Sequence, residues 1–166
     1  ARAAAAAAEA EASDLAPATS GGRAALHYRI FALVMRYSSL HDDDEISLGP
    51  PVWKVLQRHL GVACEAYASP LNAYLPAYAS PFADVDAPFG SRGSFAAIAP
   101  VAGSFAAAPP SVPALIAGCI DRVLRLLDTS SAATGGPALS FCVVLRAPDP
   151  GALERLTRSH YCKRVV

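Results

Sequence analysis

Gly103-Ser104-Phe105-Ala106-Ala107-Ala108-Pro109-Pro110-Ser111, GSFAAAPPS in one-letter code, decides how this chain is read. Ser104 to Ala107 is a short apolar run with a glycine in front, the pattern of a strand. Two prolines end it, because neither can donate a ladder hydrogen bond. A strongly apolar helical pattern follows from Val112 to Asp128. Strand, Pro-Pro corner, helix: in an open α/β sheet this order puts the corner at the carboxyl edge, where ligands bind. Ser111 stands where it can cap the helix, and Pro113 falls in its first turn. The same letters also serve as a tight connection with no chemistry, since Pro and Ser are ordinary loop residues.

Working outward, the pattern of alternating elements continues on both sides. Toward the C-terminus, Leu139 to Leu145 is continuous, β-branched and aromatic, and predicts a strand buried on both faces as in a parallel sheet. Arg146 to Pro150 forms the loop at its carboxyl end. A short basic helix is expected over Ala152–Ser159, and a further strand beginning at Tyr161. Toward the N-terminus, Val62 to Ala68 reads as a buried strand. It follows a helix from Pro51 to Leu60, with Trp53, Leu56 and Leu60 as the buried stripe and Gly61 as the stop. Arg23 to Arg36 is a further helix. Ala1 to Gly22 is low in complexity and reads as a solvated tail. Tyr74, Tyr78 and Phe82 recur at spacing four, a stripe that suits a core better than a base-stacking platform. Ser94 to Ala99 is expected to be extended.

Composition bounds the possibilities. A chain of 166 residues suits one domain. The hydrophobic fraction of 53% is inflated by alanine, so the core is smaller than that figure implies. Formal net charge is zero, so contact with nucleic acid must come from local clusters rather than from a global field. Cys64, Cys119, Cys142 and Cys162 are far apart and have no metal-ligand spacing, which points to free thiols and no metal site. No apolar run is long enough to cross a membrane. The acidic loop His41–Glu45 lacks the glycine and terminal Glu of a calcium loop. The chain does not begin with Met and closes on Lys163-Arg164-Val165-Val166, which reads as a strand just starting. The expectation is a piece of something longer.

Two further loops carry candidate chemistry. Ser69-Pro70-Leu71-Asn72 follows the first predicted strand, a cofactor position in many α/β proteins. No G-x-G-x-x-G is present, which argues against a dinucleotide. Asn72 could bond a ligand or cap the next helix. Phe89-Gly90-Ser91-Arg92-Gly93 is a turn that can aim backbone N–H groups and one guanidinium at an anion. It serves equally as a glycine-supported turn with a solvated arginine.

Taken together, these phrases resemble a known family. Arg36-Tyr37-Ser38-Ser39-Leu40, Tyr67-Ala68-Ser69-Pro70-Leu71-Asn72, Phe89 to Gly93, and Gly103-Ser104-Phe105 before the Pro-Pro are similar, in order and in gaps, to the catalytic domain of the phosphorylated-CTD-interacting factor family. The resemblance runs from about Tyr28 to the end. It implies an α/β, Rossmann-like, S-adenosyl-L-methionine-dependent methyltransferase domain over residues 23–166, C-terminally truncated, with a helical lead-in and a tail over 1–22. It implies methylation of N6 of the 2′-O-methyladenosine next to the mRNA cap, in the nucleus. Capped mRNA is the implied partner, together with the phosphorylated RNA polymerase II C-terminal domain in the full-length protein. Many members carry a WW domain for that tail, but Trp53 is the only tryptophan here and no WW pattern is read. The resemblance assigns Ser69, Pro70, Asn72, Phe89, Gly90 and Arg92 to the cofactor. It assigns Ala108, Pro109, Pro110 and Ser111 to the catalytic corner, and Arg146 and Pro148 to substrate. In the family the corner reads Asn-Pro-Pro-Phe, whose Asn carbonyl and Pro backbone carbonyl accept from the adenine amino group while the aromatic stacks on the base. Ala108 supplies no side-chain acceptor and Ser111 no stacking face. The Trp of the family's Pro-Glu-Trp-Arg-Glu segment is also absent from Arg146–Pro150. Weak or absent turnover is the expectation, with a non-catalytic capped-RNA or polymerase-associated binding module, or an inactive fragment, as the alternatives.

Overall fold

The computed structural model describes residues 20–39, 48–100, 102–132, 138–146 and 150–165. The chain divides into two compact units, 1–40 and 41–166. Most of the low-complexity tail, the acidic loop His41–Glu45 and Pro148 lie outside the described residues.

The first unit contains helix α1, Ser20–Ser38. It starts three residues before the predicted Arg23 and so takes in Gly21 and Gly22. First-turn N–H groups have no intrahelical partner, so residues poor at holding a helix cost little there.

The second unit is built on a three-stranded parallel sheet: β1 (Cys64–Glu65), β2 (Gly103–Ala107) and β3 (Leu139–Val143), with β2 in the centre. Cys64 is in register with Phe105, and Gly103 to Ala107 with Leu139 to Val143. Four helices accompany it: α2 (Pro50–Leu60), the short α3 (Ala83–Asp86) that runs into a 3₁₀ turn at Ala87–Phe89, α4 (Pro113–Ala132) and α5 (Pro150–Thr157). Gly61 ends α2 in the left-handed conformation, at φ 64°, and its N–H returns to Gln57 and Leu56.

The period-two alternation of the strands sorts the core into layers. Ala107, Phe141 and Val143 face Cys119, Val123 and Leu126 of α4. Ala106 and Cys142 face the other way, toward Trp53 and Leu56 of α2. Helices therefore cover both faces, and the alanines of β2 keep them close. A third cluster joins Ile116 and Ile120 of α4 to Ala152 of α5.

Several expectations need correcting. Of the stripe Tyr74, Tyr78 and Phe82, Tyr78 is in the core, where it bridges to Glu65 in parallel, while Tyr74 is exposed. Pro76 and Pro81 keep the segment from forming a helix. Residues 94–98 form a turn rather than a strand, with Ala97 and Ile98 both donating to the Ser94 carbonyl. Phe95 drops from it into the core. Leu60 is 53% exposed, so the α2 stripe is Trp53 and Leu56. β3 is half-buried, because β2 covers one edge only. No strand forms over 161–165, where Cys162 donates back to the Ser159 carbonyl in a turn. Asp121 of α4 pairs with Arg155 of α5.

The cysteines are free, as expected. Burial pushes the Cys119 thiol up to about 11, against a smaller pull from the Tyr67 hydroxyl. At pH 8 only about one molecule in a thousand then carries the reactive thiolate. Iodoacetamide should leave Cys119 unmodified in the folded chain while labelling the half-buried Cys162, and should label both after denaturation. Mass spectrometry of the digested protein reads this directly. Equal labelling in the native state would contradict the packing of α4.

Candidate functional site

The Pro-Pro corner lies at the carboxyl end of the central strand. β2 stops at Ala107, whose carbonyl still accepts from Val144 beyond the end of β3. Ala108 and Pro109 are buried, and Pro110 and Ser111 are half-buried. The chain then turns tightly, Val112 N–H donating to the Pro110 carbonyl at 2.7 Å. Val112, not Ser111, is the capping position: its carbonyl accepts from Leu115 and Ile116 in the first turn of α4. The Ser111 hydroxyl is buried with no hydrogen-bond partner among the described residues. It therefore makes none of the bonds to first-turn N–H groups that a capping serine makes.

Asn72 does not cap a helix either. Its side-chain oxygen accepts from the Ser69 N–H at 2.7 Å and the Ser69 hydroxyl at 3.0 Å. The Ser69 hydroxyl in turn accepts from Leu71 N–H, so Ser69 to Asn72, with Pro70 between them, form one internally braced turn.

A narrow hollow opens at this edge. Asn72 lines it on one side and Ala106 and Ala108 on another, with Glu65 and Tyr67 at the end of β1 and Trp53 and Leu48 on the α2 side. The Pro-Pro corner, through Ala108, and the first predicted cofactor loop, through Asn72, thus border one cavity. Arg92, Phe89 and Gly90 do not border it. Their turn lies one segment further out, clamped to residues 78–80: Tyr78 hydroxyl donates to the Phe89 carbonyl at 2.8 Å, Arg92 N–H to the Tyr78 carbonyl at 2.9 Å, and the Ser80 and Ser91 hydroxyls are 2.5 Å apart. Gly90 and Gly93 flank the turn at φ 94° and 87°, conformations other residues resist. The N–H groups of residues 90 to 93 are all engaged within the chain, so the backbone there holds no anion. The exposed Arg92 guanidinium still acts on β1, where its charge partly offsets the rise that burial imposes on the Cys64 thiol. Arg146 is exposed just beyond β3.

Glu65, Tyr67 and Trp53 belong to the site and escaped the reading of the sequence. Glu65 is 4% exposed, and burial raises its carboxyl pKa against the opposing pull of the Leu75 and Tyr74 N–H groups. One signal was available: it is the only charge within the apolar run Val62–Ala68, and a charge inside a buried strand needs a reason. Burial, first of all, also raises the Tyr67 hydroxyl.

The residues around the hollow match S-adenosylmethionine in kind. The Asn72 amide is a polar partner for its amino-acid end, and the aromatic rings of Trp53 and Tyr67 suit a purine or a cation. As the side chains stand, the space admits little more than a water molecule, so such a ligand requires the Asn72 wall to move. Among the described residues no His, Cys, Asp or Glu cluster could hold a metal ion, and no helix is long and apolar enough to cross a membrane.

Sheet, covering helices and a hollow at the strand ends define an α/β protein with its site at the carboxyl edge of a parallel sheet. Residues 17–166 match the family model described as the Phosphorylated CTD interacting factor 1 WW domain. The mRNA (2′-O-methyladenosine-N(6)-)-methyltransferase of Homo sapiens is 36% identical over 143 residues, 80% of this chain and 20% of that protein. The Mus musculus enzyme of the same name is 35% identical over the same length and shares. This chain belongs to the phosphorylated CTD-interacting factor 1 family. It spans about a fifth of the length of these curated relatives. The matching model is described by a WW domain, where the catalytic domain was expected; the residues it covers carry one tryptophan and build a parallel sheet.

Proposed function

We propose that this chain is part of a Rossmann-like, S-adenosylmethionine-dependent methyltransferase domain directed at N6 of the cap-adjacent 2′-O-methyladenosine, with turnover weakened at its corner. The observation that carries this reading is the hollow shared by Ala108 and Asn72 at the strand ends of a family member whose relatives bear that activity in their names. S-adenosylmethionine, when bound, supplies an electrophilic methyl group. The chain's part is to hold and orient: Asn72, Trp53 and Tyr67 are the groups that would meet the cofactor. At the corner, Ala108 offers the incoming amine no side-chain acceptor, and the Ser111 hydroxyl replaces the face on which a base would stack. Arg92 and Arg146, both exposed cations, suit the phosphates of a capped mRNA. Action in the nucleus, and binding to the phosphorylated polymerase tail by the longer protein, follow from the same family reading.

The small hollow and the empty corner favour one second reading, a capped-RNA-binding module that performs no transfer. Isothermal titration with S-adenosylhomocysteine tests the first. Heat with a dissociation constant below the millimolar range is expected. No heat at millimolar ligand, with cap-analogue binding retained, overturns it in favour of the second.

A further inference from the structure

We infer that Glu65 is a positioning residue: its carboxylate latches the wall at Asn72–Leu75 onto the end of β1 and keeps Tyr74 stacked over Trp53, setting whether the hollow is open or shut. One oxygen of Glu65 accepts two successive N–H groups, Tyr74 at 2.7 Å and Leu75 at 2.6 Å. The backbone of Glu65 is fixed on both sides. It is in register with Ala106 of β2, and on the other side its N–H donates to Ala77 while its carbonyl accepts from Ala79. The carboxylate is therefore an anchor on the rigid sheet.

The wall it holds is a single piece. The Asn72 side chain bonds Ser69, and Ala73 N–H donates to the Ser69 carbonyl at 2.9 Å. Beyond the latch, Leu75 drops into the core, while Tyr74, 39% exposed, lies parallel to Trp53 at 5.9 Å between ring centroids. The latch and the stack thus tie the segment that carries Asn72 to Glu65 and Trp53, two residues that line the hollow beside it. A buried carboxylate is an expensive way to fill space, and its accepting from the two N–H groups of the wall gives it a purpose. Admission of anything larger than water requires this wall to move.

The ligand arm of the test rests on the methyltransferase reading; the spectroscopic arm does not. Trp53 is the only tryptophan, so tryptophan emission reports its surroundings, with Tyr74 of the wall stacked on its ring. Glu65→Gln keeps the length and loses the charge. Glu65→Asp keeps the charge but is one methylene too short to reach both N–H groups. Both variants should roughly double acrylamide quenching of Trp53 with the far-UV circular dichroism unchanged, and both should weaken S-adenosylhomocysteine about tenfold. Unchanged quenching in two folded variants overturns the proposal. Hydrogen exchange on the unaltered chain covers the case where the variants do not fold. The Tyr74 and Leu75 amides should exchange far more slowly than those of the exposed turn at Ala96 and Ala97, and equal rates overturn the latch. If the unaltered chain does not bind S-adenosylhomocysteine, the methyltransferase reading fails while the fluorescence and exchange results still decide the latch.

Discussion

Replacing Ala108 with asparagine and Ser111 with phenylalanine together should raise methyl transfer to a capped 2′-O-methyladenosine oligonucleotide by about 10²-fold or more. The reason is the chemistry of an exocyclic amine. Its lone pair is delocalised into the purine, and it attacks a methyl group only when acceptors draw its N–H bonds out of the way. Ala108 borders the hollow, so an asparagine carbonyl introduced there reaches it once the Asn72 wall has moved to admit the cofactor. One well-placed polar contact of this kind is worth about 10²–10³ in rate. An aromatic face under a base adds about 1–3 kcal/mol. The Ser111 hydroxyl caps nothing, so its loss takes no bond from α4. S-adenosylhomocysteine affinity should stay within a few-fold, since neither change alters Asn72 or Glu65. Equal transfer by both proteins, with cofactor binding intact, would remove the corner from the reaction.

Much of this architecture was legible because it rests on local chemistry. Two prolines after GSFAA had to end a strand, and the spacing from Val112 to Asp128 had to be a helix. Pro-rich positions and Gly61 set the bounds of α2 in the same way. What could not be read was set by neighbours distant in sequence. Ser94–Ala99 is apolar enough for a strand, yet it turns, and the core takes Phe95 and, in part, Ile98 at a spacing of three that a strand would place on opposite faces. The tyrosines at spacing four looked periodic, but Tyr78 answers to the edge of β1 and Tyr74 to Trp53. The corner and the Asn72 loop were found from their place after strands, which topology alone brings to one edge. Glu65 was passed over because its run is apolar on either side. Only the fold shows that two N–H groups, nine and ten residues on, converge on it.

Ile120→Ala should cost about 2–5 kcal/mol, a large part of the roughly 5–15 kcal/mol that holds a domain of this size. Ile120 is fully buried where α4 meets α5, against Ile116, Ala152, Leu124 and Leu156. The polar alternative for holding α5 is the Asp121–Arg155 pair, but its side chains are 44% and 50% exposed. Pairs so exposed contribute about 0–1 kcal/mol and fade with salt, so apolar contact must do most of the holding. In urea, with a slope of about 1–3 kcal/mol per molar, the midpoint should fall by about 1 M or more while the slope itself is unchanged. Leu115→Ala on the same helix is the comparison. Leu115 is 46% exposed, and its removal should shift stability by no more than about 0.5 kcal/mol. Unfolding followed by far-UV circular dichroism and by Trp53 emission should give one midpoint for each protein, because Trp53 and α4 pack on opposite faces of the same sheet. If high salt released α5 as effectively as the loss of Ile120, the ion pair rather than the apolar cluster would be holding that helix.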